Sequence, residues 1–375
     1  MVKPKQKSKF FPALAVLIGT TIGAGFLGIP YVISKAGFFP GVFFLAFIAL
    51  IMLFVKLCLG EVSLRTKGNH QLAGYAEKYL GKTGKILMFF AMFFGIFSAL
   101  VAYLIAEGQS LSYMIFGNLT YALYFSILFW AIMACLTFIG LKALKRYDLI
   151  GMIFILLIVA VILIFFAGNV RFSNLSYTNF NNIFMPFGVI LFSFLAFSAM
   201  PEVERVLAGQ EKLMKKTIAW GILIPFIVYF LFSLVVVGSL GKNTPEIATL
   251  ALGRGFAILG VLTMFTAFFT QSIAIRDMFR FDFKLGRFRG WFIAMFIPLI
   301  LFLLIYFSQF ANFVKILSIA GVISGGGTGI LVLLMNLRAK KLGNRKPEYS
   351  VKLGWLIAIL ISIIFIAGII CQFAF

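Results

Sequence analysis

Long apolar runs, each of about twenty residues and separated by short polar stretches, recur from one end of this chain to the other. A run of that length crosses the roughly 30 Å hydrocarbon core of a bilayer as one α-helix. Eleven such runs can be marked, at residues 11–34, 38–60, 84–115, 119–141, 147–168, 182–204, 216–240, 254–276, 288–309, 311–336 and 352–374. No stretch between them is large enough for a soluble domain, so residues 1–375 read as one all-α integral membrane domain. Length alone would suggest two or three soluble units. Composition overrules it, with 62% of the residues apolar and only 12% charged.

The net charge of +22 invites a nucleic-acid reading, and the positions of the charges exclude it. With the N-terminus cytoplasmic, 27 Lys and Arg fall in inner segments, whereas only Lys35, Arg171, Lys242 and Arg254 fall outside. That asymmetry is the positive-inside signature of a multi-pass protein of the cell membrane, N-in and C-out. Loss of the first run as a signal peptide would invert the pattern. Cys58, Cys135 and Cys371 stand singly in apolar runs and His70 is the sole histidine, so neither a disulfide framework nor a metal or cofactor site is expected. Glu61 and Arg65 stand at i, i+4 on an inner end. Asp277 reads as a surface charge beside Arg280, and Glu107 as a headgroup-level residue near the outer end of the third run. On this reading no ionisable side chain lies at mid-membrane depth, with Lys56 near a span end. A membrane-embedded enzyme would need such groups, and a channel would need a polar pore or filter that is not visible.

Two runs are poor helices at depth. The first holds Gly19-Thr20-Thr21-Ile22-Gly23-Ala24-Gly25, and the sixth holds Ser193-Phe194-Leu195-Ala196-Phe197-Ser198-Ala199-Met200-Pro201. Glycine and proline weaken the helical ladder, and broken helices survive in lipid only where they face protein, water or ligand. An offset of 171 residues maps Pro30 onto Pro201, and the two runs have opposite polarity. Matched interrupted helices of this kind point to a five-plus-five inverted repeat with its site between broken helices 1 and 6. The first repeat spans about 11–168, the second about 182–336, and the helix at about 352–374 is an addition.

The free N–H groups beyond the first break, around Gly23, Ala24 and Gly25, suit a carboxylate, and the Gly19 and Ile22 carbonyls suit a cation. Gly19 and Gly23 also form a G-x-x-x-G packing motif. Thr20, Thr21 and Ser198 supply hydroxyls at the breaks, and Phe194 and Phe197 would wall an apolar side chain. Thr263, Thr266 and Thr270 share one face of the eighth run, either as ligands for sodium, with Thr266 and Thr270 nearest, or bonded back to their own helix. Ser324 to Gly329 reads as a thin segment for close packing. Lys7 and Lys9 precede the first run, and pairing of either with Asp277 would make an inner gate. An amphipathic surface helix is expected after Asn69 with Gly81 as its stop, and a short outer helix from Thr244-Pro245-Glu246 to Leu252.

The pattern Gly19-Thr20-x-x-Gly23-Ala24-Gly25-x-Leu27-x-Ile29-Pro30 resembles the first-helix motif of the amino acid/auxin permease group, close to the tryptophan/tyrosine permease family. Gly60-Glu61-Val62-Ser63, Tyr79-Leu80-Gly81-Lys82 and Pro201-Glu202 are similar too, and the resemblance covers nearly the full length. It implies the leucine-transporter-type fold of the amino acid–polyamine–organocation superfamily, with an amino acid between helices 1 and 6 and symport with Na⁺ or H⁺. Many proton-coupled relatives place a lysine in span five, and residues 147–168 contain none. The expected function is alternating-access transport of neutral or aromatic amino acids; a carrier of nucleobases or another small polar solute is the alternative. Sodium is the physical lean for the coupling ion. The expected partners are the substrate and the lipid bilayer.

Overall fold

The computed structural model describes residues 8–68, 70–140, 148–281 and 284–374. Ten helical stretches there are each long and apolar enough to cross a membrane, and a bent helix pair makes an eleventh span. That pair is α1 (Phe10–Thr21) and α2 (Gly25–Ala36), inclined by 52° across Ile22–Ala24. The next spans are α3 (Phe38–Leu64), α4 (Leu72–Phe116), α5 (Ala122–Ile139) and α6 (Asp148–Phe166). The sixth span is split into α7 (Met185–Ser193) and α8 (Met200–Val206). There follow α9 (Met214–Leu240), α10 (Ala257–Phe281), α11 (Arg287–Ser308), α12 (Phe313–Ala320), α13 (Gly326–Leu342) and α14 (Trp355–Ala374). α12 and α13 form one span through a π-helical stretch, Gly321–Gly325. The glycines there let α12 approach α7 backbone to backbone, with Gly321 against the Gly188 carbonyl. Within Ser324–Gly329 a Cβ on Gly325 would meet Leu195 at 2.7 Å and one on Gly329 would meet Phe365 at 2.5 Å, so this stretch packs closely as expected.

Burial separates scaffold from periphery. The split sixth span is 83% buried and the α12–α13 span 78%, against 22% for the α6 span and for α14. The helices with broken ladders are therefore the ones wrapped in protein, where neighbouring groups can serve their free backbone atoms. The break in the sixth span is sharpened by Ala196, a left-handed residue at φ 39° that is not glycine.

Residues Leu72 to Leu80 form the expected amphipathic helix, with Leu72, Tyr75, Ala76 and Tyr79 buried, and Gly81 at φ 77° turns the chain into the third span. Tyr75 donates to Glu204 Oε2 at 2.7 Å, so this surface helix braces α8. On the same side Glu61, wholly buried, gathers the inner ends. Its Oε1 accepts from Arg65 at 2.8 Å and Ser350 at 2.7 Å, and its Oε2 from Val351 N at 2.8 Å and Asn336 at 3.1 Å. The sequence pair Glu61–Arg65 is thus one bond of a four-donor cluster tying α3 to α13 and to the segment before α14. On the far side the expected helix from Thr244 is only a 3₁₀ turn, Ala248–Leu252. Thr244 turns its hydroxyl back to Gly241 O at 2.8 Å instead of capping a helix.

Candidate functional site

The two breaks face each other across a partly open cavity, the kind of concave, few-polar-group site in which small molecules bind. Thr20, Thr21, Gly23, Gly25, Phe197 and Ser198 line it, as read from the sequence. α4 contributes Met92, Gly95, Ile96 and Tyr103, α10 contributes Gln271, and the π-helical stretch contributes Ser324. Among the described residues Tyr103 is the only lining side chain with a titratable group, and none of them offers a counter-ion for a charged substituent.

Its polar chemistry comes from the backbone and from a few hydroxyl and amide groups. Among the described residues no backbone carbonyl accepts from the amides of Ala24, Gly25 or Phe26 at the start of α2. Those amides carry the partial positive charge of a helix N-terminus. Thr20 and Thr21 donate to Val16 O at 2.8 Å and Leu17 O at 2.7 Å, leaving their lone pairs outward. The buried Oε1 of Gln271 has no hydrogen-bond partner among the described residues and is available as an acceptor. The Tyr103 hydroxyl lies 2.9 Å from where a Cβ on Gly23 would sit, directly against the first break.

Five readings of single residues change. Gly25 lines the cavity, yet its missing side chain faces α7: a Cβ would meet Ser193 Oγ at 2.5 Å and Ser193 Cα at 3.0 Å. Bare backbone is needed there for helix contact rather than for an open cradle, and Ala24 does not line the cavity. Phe194 is fully buried against Tyr229, ring centroids 5.2 Å apart, and is no part of the wall. Glu107, read as a headgroup-level residue, is 1% exposed, and its Oε2 has no partner among the described residues. Lys56, read as lying near a span end, is wholly buried eight residues before the end of α3, and its Nζ likewise lacks a partner. Two ionisable groups therefore lie inside the protein where the sequence showed none.

The other named residues divide. Gly19, Ile22, Thr266 and Thr270 do not line the cavity. Thr266 donates to Leu262 O at 3.2 Å and Thr263 O at 3.1 Å, and Thr270 to Thr266 O at 3.0 Å. At the inner gate, Lys7 lies outside the described residues. Lys9 Nζ donates to Ala208 O at 2.6 Å, and Asp277 pairs with Arg276 at 2.9 Å, so Lys9 and Asp277 are not joined in this conformation.

One further residue connects the breaks. The hydroxyl of Tyr229, on α9, lies 2.8 Å from Thr21 O and 3.0 Å from Ser193 O, the last carbonyls of α1 and α7. Its ring stacks on Phe26 at 6.2 Å. The negative ends of two half-helices thus converge on one phenolic proton. Nothing local in the sequence marks Tyr229, Tyr103 or Gln271, since each matters only through partners far along the chain.

Two broken helices thus face one polar-backboned cavity, with no charged lining group among the described residues, inside an all-helical bundle of apolar spans. The profile of the tryptophan/tyrosine permease family matches residues 6–250, and the chain belongs to that family. Similar curated proteins include the tyrosine-specific transport system 1 of Haemophilus influenzae, 26% identical over 61% of this chain and 57% of that protein. They also include glutamine transporter 2 of Aliivibrio fischeri, at 24% over 63% and 62%, and the low affinity tryptophan permease of Escherichia coli O157:H7, at 23% over 64% and 60%. The chain thus spans 57–62% of the length of these relatives. The crystal structure of MhsT in complex with L-phenylalanine superposes with a TM-score of 0.67 over 99% of both chains, at 16% identity. The fold is that of the leucine-transporter type.

Proposed function

We propose that this chain carries neutral amino acids with large or aromatic side chains across the membrane by cation-coupled alternating access. The observation that carries the reading is the cavity bounded by both helix breaks. At one end free amides at the start of α2 and the Tyr103 hydroxyl suit a carboxylate. Phe197 offers an aromatic face for a side chain, and among the described lining residues no charged group awaits a substrate such as glutamate or lysine. The names of the relatives, for tyrosine, tryptophan and glutamine, agree with this class, and the unpartnered Gln271 acceptor suits an ammonium or amide donor.

For the coupling cation we infer a seat of the Gly19 and Ile22 carbonyls with Thr266 and Thr270. Both threonines direct their protons onto α10 carbonyls, which leaves oxygen lone pairs for a hard cation. The test is uptake of radiolabelled amino acids into proteoliposomes. Phenylalanine, tyrosine, tryptophan and glutamine are expected to compete, whereas glutamate, lysine and uracil are not. Uptake at fixed pH is expected to rise with external sodium and to lose that dependence in Thr266→Ala. Saturable uptake of a charged amino acid or a nucleobase would overturn the substrate class, and sodium-independent uptake would overturn the seat.

A further inference from the structure

The buried carboxyl of Glu107 belongs to no part of the site above, and its surroundings give it a role. α4 presents Ile96 and Tyr103 to the cavity. Positions 96, 103, 107 and 110 share one helix face, so Glu107 lies on that face one turn beyond Tyr103, past the cavity and towards the side opposite the basic clusters. Above it a second set of polar groups is sealed from solvent. Ser110 and Thr249 are both fully buried, and neither hydroxyl has a hydrogen-bond partner among the described residues. Both aim at one spot: a Cβ on Gly260 would lie 3.3 Å from Ser110 Oγ and 3.4 Å from each of Thr249 Oγ1 and Leu27 Cδ1. α2, α4, α10 and the 3₁₀ turn Ala248–Leu252 therefore close over this point, packed so tightly around Gly260 that a Cβ there would touch all three side chains.

Among the described residues no cation pairs with this carboxyl. On α4 itself the neighbouring titratable groups are the phenols Tyr103 and Tyr113. Arg254, packed on the end of α4, bonds Phe116 O at 3.3 Å, nine residues and about 13 Å further along the axis. Lys315 of α12 donates to Phe310 O at 3.2 Å at the outer surface. On α5 the groups are Tyr124, which is exposed, and Cys135. Arg276, Asp277 and Arg280 stand at the opposite end of α10, the basic residues of α11 and α13 stand at that same side, and near the outer end of α11 lies the phenol Tyr306. An ionised carboxylate buried without a partner is expensive, so the neutral acid is favoured while this seal is shut. A cation held by Glu107 would need more oxygen ligands than the two hydroxyls present.

We propose that Glu107 is a protonation site built into the outer seal, neutral when the seal is closed and ionised when it opens to water. Closure then takes up one proton from the outside. The closed state binds the proton more tightly, so its advantage is full below the ordinary carboxyl range and is lost as pH rises through the closed-state value. The proposal rests on alternating access but not on the identity of the substrate.

The deciding experiment uses the full chain in proteoliposomes, with Leu250→Cys as reporter on the 3₁₀ turn in a background lacking Cys58, Cys135 and Cys371. An impermeant thiol reagent is applied from outside. Dividing the labelling rate by that of Glu107→Gln at the same pH cancels the titration of the reporter thiol. The quotient is expected to rise at least fivefold from about pH 5.5 to about pH 8, and Glu107→Asp, which keeps a carboxyl, is expected to retain a pH response. A flat quotient, or one governed by sodium at fixed pH, would overturn the protonation site. In a second arm, Glu107→Gln should retain phenylalanine exchange and lose its acceleration by an inward pH gradient; unaltered acceleration would also overturn it. Failure of the wild-type chain to transport any amino acid would sink the function above and leave the labelling arm to decide Glu107.

Discussion

Glu61 and Tyr229 show how much a single buried side chain can organise when its partners come from distant parts of the chain. Glu61 collects four donors from α3, α13 and the segment before α14. Glu61→Ala would deprive a partly exposed guanidinium, a buried amide side chain and a backbone N–H of their shared acceptor, at a cost of about 3 kcal/mol. A large drop in the thermal unfolding midpoint in detergent, with little change in substrate affinity for the protein that remains folded, is the expected outcome. Gly23 works at closer range. Gly23→Ala would press a methyl onto the Tyr103 hydroxyl, 2.9 Å from the Cβ position, and substrate affinity should fall about tenfold, or roughly 1.4 kcal/mol. Equilibrium binding of phenylalanine checks it, and an unchanged Kd would remove Tyr103 from the carboxylate seat. Glycine-rich and proline-containing breaks are legible in a sequence because the residue type itself carries the backbone consequence. Tyr229 is not legible, because it is one of 12 tyrosines and its meaning lies 208 positions away at Thr21.

Among the elements, the surface helix Leu72–Leu80 is where local pattern and tertiary role meet. Its apolar spacing and the Gly81 stop are written in the sequence, and the structure follows them. What spacing could not give is the bond from Tyr75 to Glu204, which holds the inner half of the sixth span. Tyr75→Phe removes that brace and keeps the ring. Labelling from the inside of a cysteine at Ser198 should accelerate several-fold, and equal rates would make the contact merely structural. The opposite failure occurs at Thr244-Pro245-Glu246. A helix-start signal is present, but Glu246 is drawn instead to Asn312 at 2.6 Å, beside the start of α12. Burial pushes its carboxyl above the ordinary value despite the opposing bonds from Val314 and Asn312. A local cap lost to a tertiary one.

At the scale of the whole molecule, the order of spans and the positions of both breaks could be read directly, since apolar length and helix-breaking residues are local quantities. The buried charges could not. Lys56 and Glu107 look like span-end residues by count, but the part of α4 beyond the Gly81 kink, residues 82–116, is about 52 Å long at 1.5 Å per residue. A helix so much longer than the roughly 30 Å hydrocarbon core is tilted or projects beyond it. Distance from a helix end is then a poor measure of depth, and shielding by neighbours decides solvation. The same limit applies to the breaks, whose energetics rest on Tyr229. A phenol has one proton, and two carbonyls claim it. Both cannot be fully served at once, so when α1 or α7 moves away the proton passes wholly to the one that stays. The net change is a fraction of the ~1 kcal/mol worth of an ordinary hydrogen bond. One bolt shared between two keepers holds the breaks in register yet lets either half-helix leave at little cost.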